Sequence, residues 1–464
     1  MNLVILLLYL TVLSLPSNVF FVVRWPAAYL NGHFIDYLAP KLYLSQLLIW
    51  LLWLASVLLT RGKTHKTPIF ASLQKLMSSK LAKLALFLLL AMIGQSFWRQ
   101  DWVMLSWWFN FITGPIVFGL WVWRHRSLIH RHLWKAIILS TSWQALLGIQ
   151  QYIRQKSWLP YWVGGEPLFS PQANLATSAW KTEHWLLPYG GSPHPNILAG
   201  WLIIGILASF IYWYIHKRHY VWLVIAVGWQ AICLWWTESI TAYLSLLIFF
   251  WLWLLLLLNR QPIFGFFSTT KRRLYLIGAV FLSQLFWLTW PRMLCLVNTE
   301  WLNQASIYSQ KSVADMSEIQ LSIWRRGHLL QESILNFLAK PWGISLKDYF
   351  QTVWLAETDY LGGRFLQPVH HSGLLALTIY GLWVIFLFLI ILYIVQKKYS
   401  IVFLIWLAIA PVFNLDHYLL SLISGQYQLI IYLLIFMTIT NQKYHNKSLN
   451  RILSNKQLTS QKHH

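Results

Sequence analysis

Ile240-Thr-Ala-Tyr-Leu-Ser-Leu-Leu-Ile-Phe-Phe-Trp-Leu-Trp-Leu-Leu-Leu-Leu-Leu258 carries no charge. At a rise of about 1.5 Å per residue it makes a helix about 30 Å long, the thickness of a bilayer's hydrocarbon core. Runs of the same kind recur along the chain, at about 3–23, 42–60, 84–97, 102–123, 136–152, 196–215, 221–236, 274–290, 372–395, 401–413 and 426–440. The fold expected is all-α: a polytopic integral membrane protein of about 12 transmembrane helices, with a large helical outer loop. The composition agrees. At 58% hydrophobic and 11% charged residues, with a mean hydropathy of +0.52, a water-soluble globule would lack the polar surface to cover itself.

The formal charge of +23 raises nucleic acid as a partner, yet the basic residues sit in short loops between apolar runs, where they read as topology signals. No nucleic acid is expected. With the N-terminus inside, twelve spans place 23 of the 36 Lys and Arg in cytoplasmic segments and all 13 Asp and Glu outside, with no charge inside a span. Both termini are therefore expected in the cytoplasm of a bacterial-type inner membrane, with residues 1–440 as one transmembrane domain and 441–464 as a basic cytoplasmic tail. The first run lacks the basic start and small-residue cleavage site of a signal peptide and is expected to stay as a helix. Cys233 and Cys295 have neither metal-ligand spacing nor a disulfide framework and read as apolar residues. Most of the 31 Trp, such as Trp98, Trp102, Trp235 and Trp236, read as interfacial anchors.

Two outer loops are long, at about 153–195 and 291–370, and too rich in Trp, Leu and Ile to be disordered. The working face is thus expected outside the cytoplasm. The P-loop, GxGxxG, HExxH and GxSxG patterns are missing, so nucleotide-driven chemistry is not expected. Polar clusters at the outer boundaries stand out instead. Tyr189-Gly-Gly-Ser-Pro-His-Pro-Asn196 enters a span directly, with His194 in the turn and Asn196 as the expected cap of the first helical turn.

In the larger loop, Asp315 or Ser317 is placed to cap a helix over 318–340 that Pro341 stops. On its 3.6-residue period Ile319, Ile323, Arg326, Leu330, Ile334 and Phe337 form one stripe, and Arg325, His328, Glu332 and Asn336 the opposite one. Arg326 interrupts the apolar stripe and so needs an anionic partner: a ligand, a carboxylate of the same loop, or lipid headgroups reached by snorkelling. Gln367-Pro-Val-His370-His371-Ser-Gly373 precedes the tenth span, where His370 is either a proton acceptor or a polar anchor. Asn414-Leu-Asp416-His417-Tyr418 lies between the last two spans on the same side, as a supporting group or a polar turn.

Taken in order, these clusters resemble the O-antigen ligase and polymerase superfamily of GT-C-type membrane glycosyltransferases. The family's Gly-x-x-x-His-Pro-Asn-x-Leu-Ala/Gly motif is similar to Gly190 through Gly200. Its loop helix, opening on Arg and closing on Pro-x-x-Gly-x-Gly, resembles Arg326 with Pro341 and Gly343, one residue shorter and with Ser345 near the second Gly. Its His-Asn motif followed by Gly resembles His370 with Gly381, His371 standing in the Asn place. The resemblance implies transfer of a glycan from an undecaprenyl diphosphate donor to a hydroxyl of a glycan, lipid or protein acceptor, with His370 as base and Arg326 as diphosphate clamp. Arg325, Arg364, Asn196, His194 and His417 are then substrate-binding candidates.

Two positions where the family often carries a diphosphate-holding arginine are Leu187 and Ile240 here; Arg325, Arg364 and Lys181 offer substitute cations by position. No carboxylate pair is placed for a divalent metal, so the transfer is expected to need no metal and no cofactor. Two competing expectations remain. One is a small-anion transporter, bicarbonate-like, against which stands the lack of a charged residue within the spans. The other is a catalytically inactive scaffold of an envelope-polysaccharide pathway, which the two replaced arginines favour.

Overall fold

A computed structural model describes residues 2–30, 33–35, 38–60, 80–164, 175–178, 185–216, 220–258, 329, 332–352, 372–387, 389 and 422–432. The protein is mostly helical, 77% against 4% strand, which places it in the all-α class. Its helices are α1 (Asn2–Ser14), α2 (Leu44–Thr60), α3 (Lys80–Trp98), α4 (Trp102–Phe111), α5 (Val117–Arg124), α6 (Arg126–Arg154), α7 (Pro195–His216), α8 (Tyr220–Trp236), α9 (Ile240–Leu258) and α10 (Ser372–Tyr380). Further helical segments cover 332–339, 346–352, 382–387 and 423–432. The strands are short: β1 (Phe20–Val22) pairs antiparallel with β4 (Lys41–Tyr43), and β2 (Tyr29–Leu30) with β3 (His33–Phe34).

Among the described residues, two helical stretches are long and apolar enough by length and composition to cross a membrane, Trp102–Arg124 and Pro195–Trp213. Shorter apolar helices are Leu3–Ser14, Leu44–Leu59, Leu86–Trp98 and Val221–Trp236. Several expected runs differ from the helices that form. The first was expected over 3–23, but α1 ends at Ser14 and Phe20–Val22 is a strand. Pro16 accounts for the stop, because it lacks an N–H and disfavours helical backbone at Leu15.

The run at 102–123 is helical throughout, over Trp102–Arg124, with a π-turn at Ile112–Ile116 that contains Gly114 and Pro115. Gln46 Nε2 reaches into that turn, donating to Asn110 Oδ1 at 3.0 Å and to Thr113 Oγ1 at 2.8 Å. The run at 136–152 is only part of α6, which starts earlier, through Arg126, Arg131 and Lys135. Charges end an apolar run without ending a helix, since Lys and Arg are good helix formers. The run at 372–395 turns at Gly381 after α10. The runs at 274–290 and 401–413 lie outside the described residues.

Helices α6, α7 and α8 pack against one another, and α1 joins them through α6 and α2. Their shared core includes Leu8, Trp121, Trp134, Ala145, Leu198, Trp201 and Cys233, closed by Tyr427 and Tyr432 of segment 423–432. That segment is tied to the start of α7: Trp201 Nε1 donates to Ser424 Oγ at 2.8 Å and Gln428 Nε2 to Ile197 O at 2.9 Å. A second core gathers Leu38, Met92, Val103, Leu346, Tyr349, Phe350, Leu375 and Ile379 around the ends of α3, α4 and α10.

Candidate functional site

Two carboxamides on one face of α6, of Gln144 and Gln151, and that of its left-handed C-cap Gln155 fix the turn that leads into α7. Gln155 Oε1 accepts from Leu186 N at 2.8 Å and its Nε2 donates to Leu186 O at 3.1 Å, the exchange a neighbouring strand would make. Gln151 Oε1 accepts from both Tyr189 N, at 2.9 Å, and Gly190 N, at 2.8 Å, while its Nε2 donates to Gly190 O at 2.8 Å. Gln144 Oε1 accepts from Gly191 N at 2.6 Å. The other side of the turn is held by Asn18 N, donating to Gly191 O at 2.8 Å, and by Ser192 Oγ, donating to Pro16 O at 3.3 Å. Gly190 is left-handed at φ +56°, and a side chain there would meet Gln144 and Leu198.

The turn ends in a cap other than the expected one. Helix α7 begins at Pro195, so Asn196 lies inside its first turn, and His194 is the capping residue. His194 Nδ1 accepts from Asn196 N at 3.2 Å, and His194 O accepts from Ile197 N at 3.0 Å and Leu198 N at 3.1 Å. Proline causes the shift: it fits the first helical position with its fixed φ, which moves the cap to the residue before it. With Nδ1 accepting, the neutral His194 ring carries its proton on Nε2. The ring is exposed and the Tyr189 ring stands edge-on at 6.2 Å. Tyr189 itself is buried, which pushes its phenol up, and its hydroxyl accepts from Ala176 N at 2.7 Å.

A second cluster forms where residues 340–350 meet α3, α4 and α10. Two glycines there interlock, and the clash each avoids shows how close the backbones lie. A Cβ on Gly343 (φ +87°) would stand 2.0 Å from Ile379 O, and one on Gly381 (φ +58°) 2.0 Å from Pro341 O. The contact is sealed by Ile344 N donating to Thr378 O at 3.0 Å and Leu382 N to Pro341 O at 2.9 Å. Trp342 O accepts from Gln95 Nε2 and, at 3.3 Å, from Arg99 Nη2. The loop helix ends as expected: segment 332–339 stops before Pro341.

Beside the interlock lies a cleft of about 450 Å³ lined by Arg99, Asp101, Trp102, Lys340, Lys347 and Asp348, among others. Asp101 caps α4, with Oδ1 accepting from Met104 N at 3.1 Å, while Oδ2 accepts from Leu346 N at 3.0 Å. Burial raises the Asp101 carboxyl above its ordinary value, against the lowering effect of those two N–H donors. Partial desolvation lowers Arg99, opposed by Asp101 and Asp348, and a guanidinium so placed stays cationic.

Of the residues singled out in the sequence, His194 and Asn196 are thus placed together on one turn. His370, Arg326, Arg325, Arg364 and His417 lie outside the described residues, as does Lys181. Leu187 is 7% exposed and Ile240 69% exposed, so the first is core and the second surface. Sequence reasoning missed Gln144, Gln151 and Gln155, although carboxamides seven residues apart in an otherwise apolar run, Gln144 and Gln151, signal a buried hydrogen-bonding partner. It also missed the cleft, whose Arg99 and Lys347 are far apart in the chain. Among the described residues no three of His, Cys, Asp and Glu gather as a metal site requires. Comparison with protein-family models and with curated proteins finds no match to this chain.

Proposed function

We propose that this chain is a glycosyltransferase of a bacterial inner membrane. It spans the bilayer about twelve times with both termini in the cytoplasm, and it moves a glycan from an undecaprenyl diphosphate donor to an acceptor hydroxyl on the outer face. The charge separation supports the topology, since every acidic residue falls on one side of the twelve-span arrangement. The reaction reading rests on motif order and one observation above the rest. The Gly343–Gly381 interlock fastens the end of the loop helix, on whose upstream side Arg326 lies in sequence, to the helix that His370 precedes.

In the proposed reaction His370 takes the proton of the acceptor hydroxyl. The acceptor oxygen bonds the anomeric carbon of the donor sugar as the bond from that carbon to the diphosphate oxygen breaks. The lipid diphosphate leaves as an anion, and Arg326 offsets the charge that builds on it. The Gly190–Asn196 turn, rigid on its glutamine supports, serves as a wall for the glycan. A catalytically inactive scaffold is the second reading, favoured by Leu187 and Ile240 in place of two cations.

The test is the profile of lipid-linked and surface glycans in a strain lacking the protein, complemented with wild type or His370→Ala. Single units without long chains mark a polymerase, and complete lipid-linked chains that never reach the acceptor mark a ligase. Full rescue by His370→Ala makes the protein a scaffold, and an unchanged glycan profile on deletion refutes the proposal.

A further inference from the structure

We infer that the cleft between Arg99 and the Lys340–Lys347 strap binds a phosphate-bearing headgroup, held in place by the tryptophans at its rim. Three cations meet there from two distant stretches of chain, against two carboxylates. Asp101 turns one oxygen to Met104 N and the other to Leu346 N, and with Asp348 it offsets part of the charge of the three cations, leaving them in excess by one. Asp348 has its backbone N–H on Ser345 Oγ at 3.0 Å and its side chain at the exposed edge. A compact anion with several oxygens satisfies two ammonium groups and a guanidinium at once, which a single carboxylate does not.

The floor of the cleft is rigid because Gly343 is clipped to α10, so Lys340 and Lys347 flank a fixed turn. Trp102 lines it, 51% exposed, and Trp98 and Trp342, 89% and 49% exposed, are the chain neighbours of the lining residues Arg99 and Gly343, with Trp98 ending the apolar helix α3. Exposed indoles at the end of an apolar helix mark the headgroup level of a bilayer. The ligand chemistry is therefore a phosphate, carried by a lipid of the outer leaflet or free in solution. Only the lipid source rests on the membrane reading given above, and neither source requires glycan transfer.

The test uses the full-length protein in a neutral detergent, with Trp fluorescence or native mass spectrometry as readout. The probes are dioctanoyl phosphatidate, dioctanoylglycerol and inorganic phosphate. Saturable phosphatidate binding is expected, weakened about tenfold or more in Lys340→Gln/Lys347→Gln and in Arg99→Gln, and unchanged in Lys156→Gln, an exposed lysine outside the cleft. Dioctanoylglycerol should not compete. Competition by inorganic phosphate at equal strength keeps the phosphate site and rejects the lipid source. Equal affinity of wild type and the charge variants, or equal binding of the two dioctanoyl lipids, overturns the inference. Should the double variant not fold, Lys340→Gln alone, at an exposed position, is read by the same criterion. A strain whose glycans do not change on deletion sinks the transferase and leaves this titration untouched.

Discussion

Replacing Gln151 by leucine should loosen the turn before α7 without disturbing α6. The side chain is 0% exposed and makes three hydrogen bonds of 2.8–2.9 Å to the backbone of Tyr189 and Gly190. Leucine has similar volume and keeps the helix, but two N–H groups and one carbonyl lose their partner. A buried unsatisfied group costs about 1–3 kcal/mol, and relaxation of the turn recovers part of it, so local destabilisation of about 3–5 kcal/mol is expected. Native-state hydrogen exchange reads this directly, because local opening sets amide protection. The Tyr189 and Gly190 amides should exchange at least about 100-fold faster, at about 1.4 kcal/mol per factor of ten. Gln151→Glu retains the oxygen that accepts both N–H groups and should fall between wild type and leucine, while Gln150→Leu serves as the neighbouring control. Wild-type protection of these two amides in Gln151→Leu would refute the idea that the carboxamide holds the turn.

Gly381→Ala puts a Cβ 2.0 Å from Pro341 O at φ +58° and should cost about 2 kcal/mol or more, whereas Gly94→Ala, with nothing within 4 Å, should be neutral or stabilising; equal melting behaviour of the two variants contradicts the interlock. His125 stacks on Trp121 at 4.6 Å, its Nδ1–H donates to Trp121 O at 2.9 Å, and burial lowers its pKa. The folded state therefore favours the neutral ring, so His125 contributes full stability above the unfolded value of about 6.5 and loses it as pH falls through the lowered one. Melting in detergent from pH 7.5 to 5.5 should fall less steeply in His125→Gln than in wild type, and identical slopes reject the assignment. For topology, reporter tags after Lys75 and Lys271 should score as cytoplasmic and a tag within 313–320 as outside. A cytoplasmic score from that loop would remove Arg326 from the outer face.

The sequence shows where helices lie most clearly where an apolar run ends in polar residues. Helices α7, α8 and α9 fall within about one residue of the runs at 196–215, 221–236 and 240–258, because lipid-like composition and helix length coincide there. It fails where backbone chemistry cuts a run short. Pro16 ends α1 inside one, while α6 continues through charges that end the run but not the helix. The candidate site divides in the same manner. The Gly190–Asn196 turn is legible from its own glycines and prolines, although the expected cap, Asn196, gives way to His194 because Pro195 takes the first helical position. What holds it is not legible, because Gln144, Gln151 and Gln155 look like ordinary helix residues until their partners in the next loop are known.

The two later glycines carry the same lesson further. Gly343 follows the helix-stopping Pro341 and Gly381 falls inside the run expected as one span over 372–395, and nothing in either neighbourhood names the other. Their backbones nevertheless approach so closely that neither position tolerates a Cβ, and the two are halves of one joint. The joint makes segment 332–352 part of the helical scaffold. Segment 332–339 lies against α10, with Thr378 Oγ1 donating to Ser333 O at 3.4 Å. Arg326 and His370 each precede, in sequence, one of two elements that touch. Any variant that frees the joint should affect both residues together, and a variant at either residue alone should leave the joint intact.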